Sequence, residues 1–184
     1  MKNVLLLAFT LTVLFVLNSC SDTKDPDEPN EQELITTLKI TFVDSANTSI
    51  VRTFQYRDPD GDGGNPAVQF DTIKLAPSKT YVASIVLLDE SKTPADSISN
   101  EVREEGTDHQ FFFTISGVNV TTSYEDVDDN GNPLGLESRW KTNTVGNGTA
   151  QIVLKHQPGV KAAAPGDQSL GDTDIELNFP LVIE

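Results

Sequence analysis

Apolar and polar residues alternate along four stretches of this chain with a period of two, the spacing that puts successive side chains on opposite faces of a β-strand. Leu38, Ile40 and Phe42 alternate with Thr37, Lys39 and Thr41; Tyr81, Ala83, Ile85 and Leu87 form a second apolar face, and Ala150, Ile152 and Leu154 a third. In the longest run, Ile175, Leu177, Phe179, Leu181 and Ile183 point one way and Asp174, Glu176, Asn178, Pro180 and Val182 the other. Pro180 has no N–H for a ladder, so this strand is expected at an edge or with a bulge. Fainter alternation predicts strands at residues 49–56, 70–75, 110–123 and 136–142, which makes about eight in all. Only residues 93–105 read as helical, with Thr93 as N-cap, Pro94 at the first position, Ile98 and Val102 on one face and Gly106 as the stop. Short strands separated by turn residues, with no repeat and no internal linker, predict an all-β fold: an antiparallel, immunoglobulin-like β-sandwich of about eight strands with one short helix.

The N-terminal residues follow another pattern. Lys2 precedes an apolar run from Val4 to Leu17 that is short for a membrane span, and small Ser19 stands just before Cys20, as in a signal peptide. The tetrapeptide Leu17-Asn18-Ser19-Cys20 resembles the lipobox of bacterial lipoproteins. That resemblance implies cleavage after residue 19 and acylation of Cys20, which becomes the first residue of a membrane-anchored chain. Two or more acyl chains, at about 0.8 kcal/mol per buried CH₂, make such an anchor stable. A secretory signal with a chance cysteine, or an uncleaved anchor, is the alternative. Cys20 is the only cysteine, so the body is expected to hold together without a disulfide. Residues 20–33 carry two prolines, many acids and no large apolar side chain, and read as a disordered tether; residues 34–184 form the sandwich domain. The acidic start behind Cys20 is similar to a surface-export signal of lipoproteins in one lineage of Gram-negative bacteria. Surface-exposed and periplasm-facing placements on the outer membrane both stay open.

A net charge of −15 argues against nucleic acid or an anionic lipid surface as a partner of the body and suits cations, although acidity also serves solubility. Two loops are candidate Ca²⁺ sites. In Asp58-Pro59-Asp60-Gly61-Asp62-Gly63, carboxylates alternate at positions one, three and five with glycine at six, the start of a calcium loop; position twelve is Gln69 and the nearest acid is Asp71. In the loop from Asp126 to Glu137, Asp126, Asp128, Asn130 and Gly131 stand at one, three, five and six and Glu137 at twelve, a closer match to an EF-hand. Its flanks read as strand, however, and Asn130-Gly131 is equally the signature of a hairpin turn.

His109 and His156, the two histidines, fall at a strand start and a strand end. If those ends meet, the imidazoles with Asp108 or a glutamate would form a Zn²⁺ or Cu²⁺ site; otherwise each simply bonds a nearby carbonyl. No nucleophile elbow, phosphate-binding glycine loop or thiol nucleophile is present, so no enzymatic activity is expected. Glu104 and Glu105 end the predicted helix and read as solvated, and Phe111 and Phe113 read as core with Phe112 on the opposite face.

From residue 34 onward the chain resembles a group of small bacterial lipoproteins labelled type 1 periplasmic binding fold superfamily protein. The likeness rests on Cys20 with its acidic tether, the stretch from Asp58 to Asn65, Ser91-Lys92-Thr93-Pro94, Asp108-His109-Gln110, the stretch from Asp128 to Pro133, and the stretch from Leu154 to Lys161. The label names a fold of two α/β lobes, whereas the alternation here predicts one all-β body. The resemblance implies an envelope protein without catalysis, working beside a TonB-dependent outer-membrane receptor. The expected function is thus a membrane-anchored, non-catalytic binding module, with a Ca²⁺-stabilised adhesion module and a histidine-based Zn²⁺ or Cu²⁺ binder as alternatives.

Overall fold

The alternation around Phe42 becomes strand β1, Thr37–Asp44, in which Leu38, Ile40 and Phe42 are fully buried while Lys39, Thr41 and Val43 keep partial exposure on the other face. The computed structural model describes residues 33–61 and 63–184; the signal segment, Cys20, the tether to residue 32 and Asp62 lie outside the described residues.

Nine further strands and one helix follow: β2 (Asn47–Arg57), β3 (Gln69–Phe70), β4 (Ile73–Leu75), β5 (Thr80–Leu88), α1 (Ile98–Glu104), β6 (His109–Ser116), β7 (Val120–Tyr124), β8 (Glu137–Thr142), β9 (Gly146–His156) and β10 (Asp172–Ile183). They form two sheets, ordered β3-β2-β1-β5-β8-β7 and β4-β10-β9-β6, antiparallel except for the short parallel pair β4–β10. The expected all-β sandwich is the fold. Its core lies between the inner faces, where Phe42 meets Trp140 edge-on at 5.2 Å and Trp140 meets Phe113 of the other sheet at 5.8 Å. The buried indole N–H of Trp140 donates to Ser138 Oγ at 2.9 Å, so no polar group is stranded there.

Four local expectations are corrected. The run 110–123 is two strands in different sheets, β6 and β7, because the chain turns at Gly117, whose φ of +77° suits glycine and whose Cβ position lies 3.0 Å from the Asn147 carbonyl oxygen. The run 70–75 likewise divides into β3 in the larger sheet and β4 in the smaller.

The helix starts at Ile98, with Ser97 rather than Thr93 at the N-cap. Asp89 and Asp96 exchange backbone hydrogen bonds of 3.1 and 3.0 Å, closing residues 89–96 into a loop. Asp89 Oδ1 accepts from the Ser91 N–H and hydroxyl inside that loop, at 2.9 and 2.6 Å, an arrangement that competes with a helical turn.

Pro180 does not put β10 at the edge of its sheet, since β10 lies between β4 and β9. The strand tolerates it because β4 pairs only with Leu181–Ile183, leaving Pro180 where β9 is the sole ladder partner. The bulge in β10 is elsewhere, between Thr173 and Ile175.

Candidate metal centre

The antiparallel register of β6 and β9 sets His109 directly opposite His156. Both strands carry a histidine at that end, so the two imidazoles face each other as a cross-strand pair, stacked with centroids 4.5 Å apart and planes 8° from parallel. His109 is buried and His156 half-buried. Ligand atoms of His109, His156 and Glu105 all lie within 4.8 Å of one another. The strand ends therefore meet as the metal expectation required, with Glu105 as the glutamate. Asp108 instead accepts the Gln157 N–H on its carbonyl at 2.6 Å, which holds the two strand ends together.

Helix α1 orients the deeper imidazole. It ends one residue before Glu105, whose carbonyl lies 3.2 Å from His109 Nδ1. A carbonyl oxygen only accepts, so Nδ1 carries the proton and Nε2 the lone pair. Burial pushes His109 down to about 4, so the imidazole stays neutral, as a metal ligand must.

On the Nε2 side stands Asp174, whose Oδ2 is 3.7 Å away, with side-chain exposures of 2% and 4% for the two residues. Asp174 sits in the β10 bulge and is skipped in the pairing with β9. The bulge explains why an aspartate that alternation assigns to the outer face is buried instead. Its Oδ2 has no hydrogen-bond partner, and burial raises its carboxyl to about 6.

Glu33, assigned to the tether from sequence, also reaches this region. Burial, reinforced by Glu101, Asp174 and Glu105, raises it to about 8, and its Oε2 is likewise buried without a partner. Beside Asp174 opens a pocket of about 300 Å³ lined by Ile35, Tyr56, Thr173, Ile175, Glu176 and Leu177. Sequence reasoning missed Asp174 and Glu33. Nothing in the alternation signals a bulge, and composition alone placed Glu33 in the linker.

The acidic loops are arranged differently. Asp126 accepts the N–H groups of Gly135 and Glu137 at 2.7 and 3.0 Å. Asp128 accepts those of Asn130 and Asn132 on Oδ1 at 2.9 Å each, while its Oδ2 pairs with Lys161 Nζ at 2.7 Å. Backbone amides and one lysine are thus the protein donors to these two carboxylates. Burial raises the Asp128 carboxyl, but Lys161 and the two amides outweigh it and hold the group below its ordinary value.

In the first loop Asp60 Oδ2 accepts the Asn65 N–H and side-chain amide at 2.9 and 2.7 Å, and the Tyr56 hydroxyl donates to Asp58 Oδ2 at 3.1 Å. Asp58 Oδ1 is buried without a partner, Asp62 lies outside the described residues, and Asp71 is committed to the Gln55 N–H and the Gln69 amide.

No protein-family model matches the chain, and no curated protein or solved structure is significantly similar to it.

Proposed function

We propose that this protein is a non-catalytic binding module of the bacterial envelope, tethered through an acylated Cys20, whose sandwich holds a divalent metal ion of the zinc class at the end of β6 and β9. The observation that carries the reading is the pairing of His109 with His156 across two strands with Glu105 in reach, all three offering ligand atoms within 4.8 Å. Two imidazoles and a carboxylate are the donor set of zinc and copper rather than of calcium. The partner expected from the lipoprotein resemblance, an outer-membrane receptor, is compatible with metal capture or delivery.

The test is zinc titration of the full-length chain by calorimetry, with the His109→Ala, His156→Ala double variant as comparison. One ion per chain, lost in the double variant, supports the reading; equal binding in both defeats it. Calcium and EDTA are the controls for the acidic loops, because an ion that binds only the folded state raises its melting temperature.

A further inference from the structure

We infer that the pocket beside Asp174 is a binding site for a primary alkylammonium group, with Asp174 as its counter-ion and apolar walls for its carbon stem. The site needs no metal ion at the histidines.

The walls come from both sheets. Thr173, Asp174, Ile175 and Leu177 of β10 belong to the smaller sheet and Tyr56 of β2 to the larger, with Ile35 from the segment ahead of β1. Together they enclose about 300 Å³, the scale of a small-molecule site and far more than a bare ion fills. The side chains of Ile35, Ile175 and Leu177 carry no oxygen, whereas a hard cation requires oxygens on several sides. Such walls suit a hydrocarbon stem, and the Tyr56 ring tolerates a cation nearby.

The charge in this cavity is Asp174. The bulge between Thr173 and Ile175 brings its carboxyl into the wall, where its side chain is only 4% exposed. Bulges re-aim side chains beside functional sites in this way. Its Oδ2 has no hydrogen-bond partner. His109 Nε2, 3.7 Å away, carries a lone pair, and burial keeps that imidazole neutral, so neither a donor nor a charge comes from that side. The nearby Lys155 is committed elsewhere, donating to the Gly171 carbonyl and the Thr173 hydroxyl at 2.9 Å each.

Asp174 titrates at about 6, so at neutral pH it is largely ionised despite its burial. A buried anion without a partner is costly. A ligand that carries its own N–H donors and positive charge into the pocket removes that cost with charge-assisted hydrogen bonds. An ammonium group offers three donors at one point, and an alkyl stem gives the apolar walls something to cover. A free alkylamine and a lysine side chain present the same chemistry to Asp174.

Binding of n-pentylamine to the full-length chain is measured by calorimetry at neutral pH in EDTA, so the result stands whether or not zinc binds the histidines. One amine per chain is expected. Affinity should fall about tenfold or more in Asp174→Asn, and much less in Glu176→Gln, which alters an exposed carboxylate of the same pocket. Equal affinity of Asp174→Asn and the unmodified protein overturns the proposal, as does the absence of amine binding, which would leave a proton on Asp174 as the solution to its burial. n-Pentanol needs no variant: it has the same stem without the charge, and binding as tight as that of the amine also overturns the proposal. Nα-acetyl-lysine methylamide separates the two sources. Tighter binding than that of pentylamine supports the site as a receptor for a lysine side chain, and weaker binding supports it as one for a free amine.

Discussion

Lys161 and Asp128 form an ion pair of 2.7 Å with side-chain exposures of only 3% and 0%. The ammonium also donates to the Gly106 carbonyl at 2.7 Å, so one cation fastens the hairpin from Asp126 to Glu137 to the segment after β9 and to the turn after α1. Replacing it alone strands a buried carboxylate. Lys161→Met is expected to cost about 3–5 kcal/mol in urea unfolding, and the double variant Lys161→Met, Asp128→Asn to recover part of that loss. Full additivity of the two single changes would show that the pair is not coupled.

The same pair sets an acid limit. Asp128 is held below its unfolded-state value, so its contribution is complete above the ordinary carboxylate range and is lost as pH falls through the folded value. Unfolding midpoints should therefore drop at low pH, and that acid-dependent drop should shrink in the double variant.

Glu33 has the opposite sign in the metal-free chain. With its folded value near 8 and the ordinary glutamate value of 4.5 when unfolded, the native state keeps a proton that the unfolded chain has released. Stability from this group is present below pH 4.5 and lost as pH rises to 8. Glu33→Gln should match the unmodified protein at pH 4.5 and exceed it at pH 8, by roughly 1 kcal/mol once solvent screening of a half-exposed group is allowed for. His109, near 4 when folded, works the other way: folding stability falls as pH drops from 6.5 to 4, because the unfolded imidazole takes the proton first. Measured in EDTA, the two slopes separate in Glu33→Gln and His109→Gln.

Gly135 has a φ of +94°, and its Cβ position falls 2.7 Å from the Phe111 Cβ. Gly135→Ala therefore combines a left-handed backbone with a clash against a fully buried aromatic residue, and should cost more than the roughly 1 kcal/mol of an ordinary glycine replacement. Trp140, the only tryptophan and fully buried, supplies the readout through its fluorescence.

Intact-mass analysis of the full-length gene product tests the anchor. Cleavage before Cys20 with added acyl mass is expected, and Cys20→Ser should move the chain from membrane to soluble fractions. An unmodified thiol in membrane-bound protein would remove the lipid tether from the proposal.

Much of the fold was legible because burial follows a period of two: Leu177, Phe179, Leu181 and Ile183 are buried as the alternation assigns them. The failures lie where the chain breaks that period. Gly117 turns one predicted strand into two, and the bulge at Asp174 carries a carboxylate from the outer face to the inner one. The histidine pair was legible only as two strand ends that could meet, since the register that brings them face to face depends on turns and bulges far from either residue. In the Asp126–Glu137 loop the sequence shows oxygens at calcium spacing, but not the lysine 33 positions away that one of them pairs with.

The place of β10 has a consequence for how the body comes into being. Both β4 and β9 border a strand that follows them in the chain, so the smaller sheet stays open until β10 arrives to fill its centre. An emerging polypeptide could pair β1, β2 and β5 early yet have no closed sandwich, and hence no cavity beside Asp174, until β10 inserts. Maturation of the binding centre is thereby tied to the docking of β10.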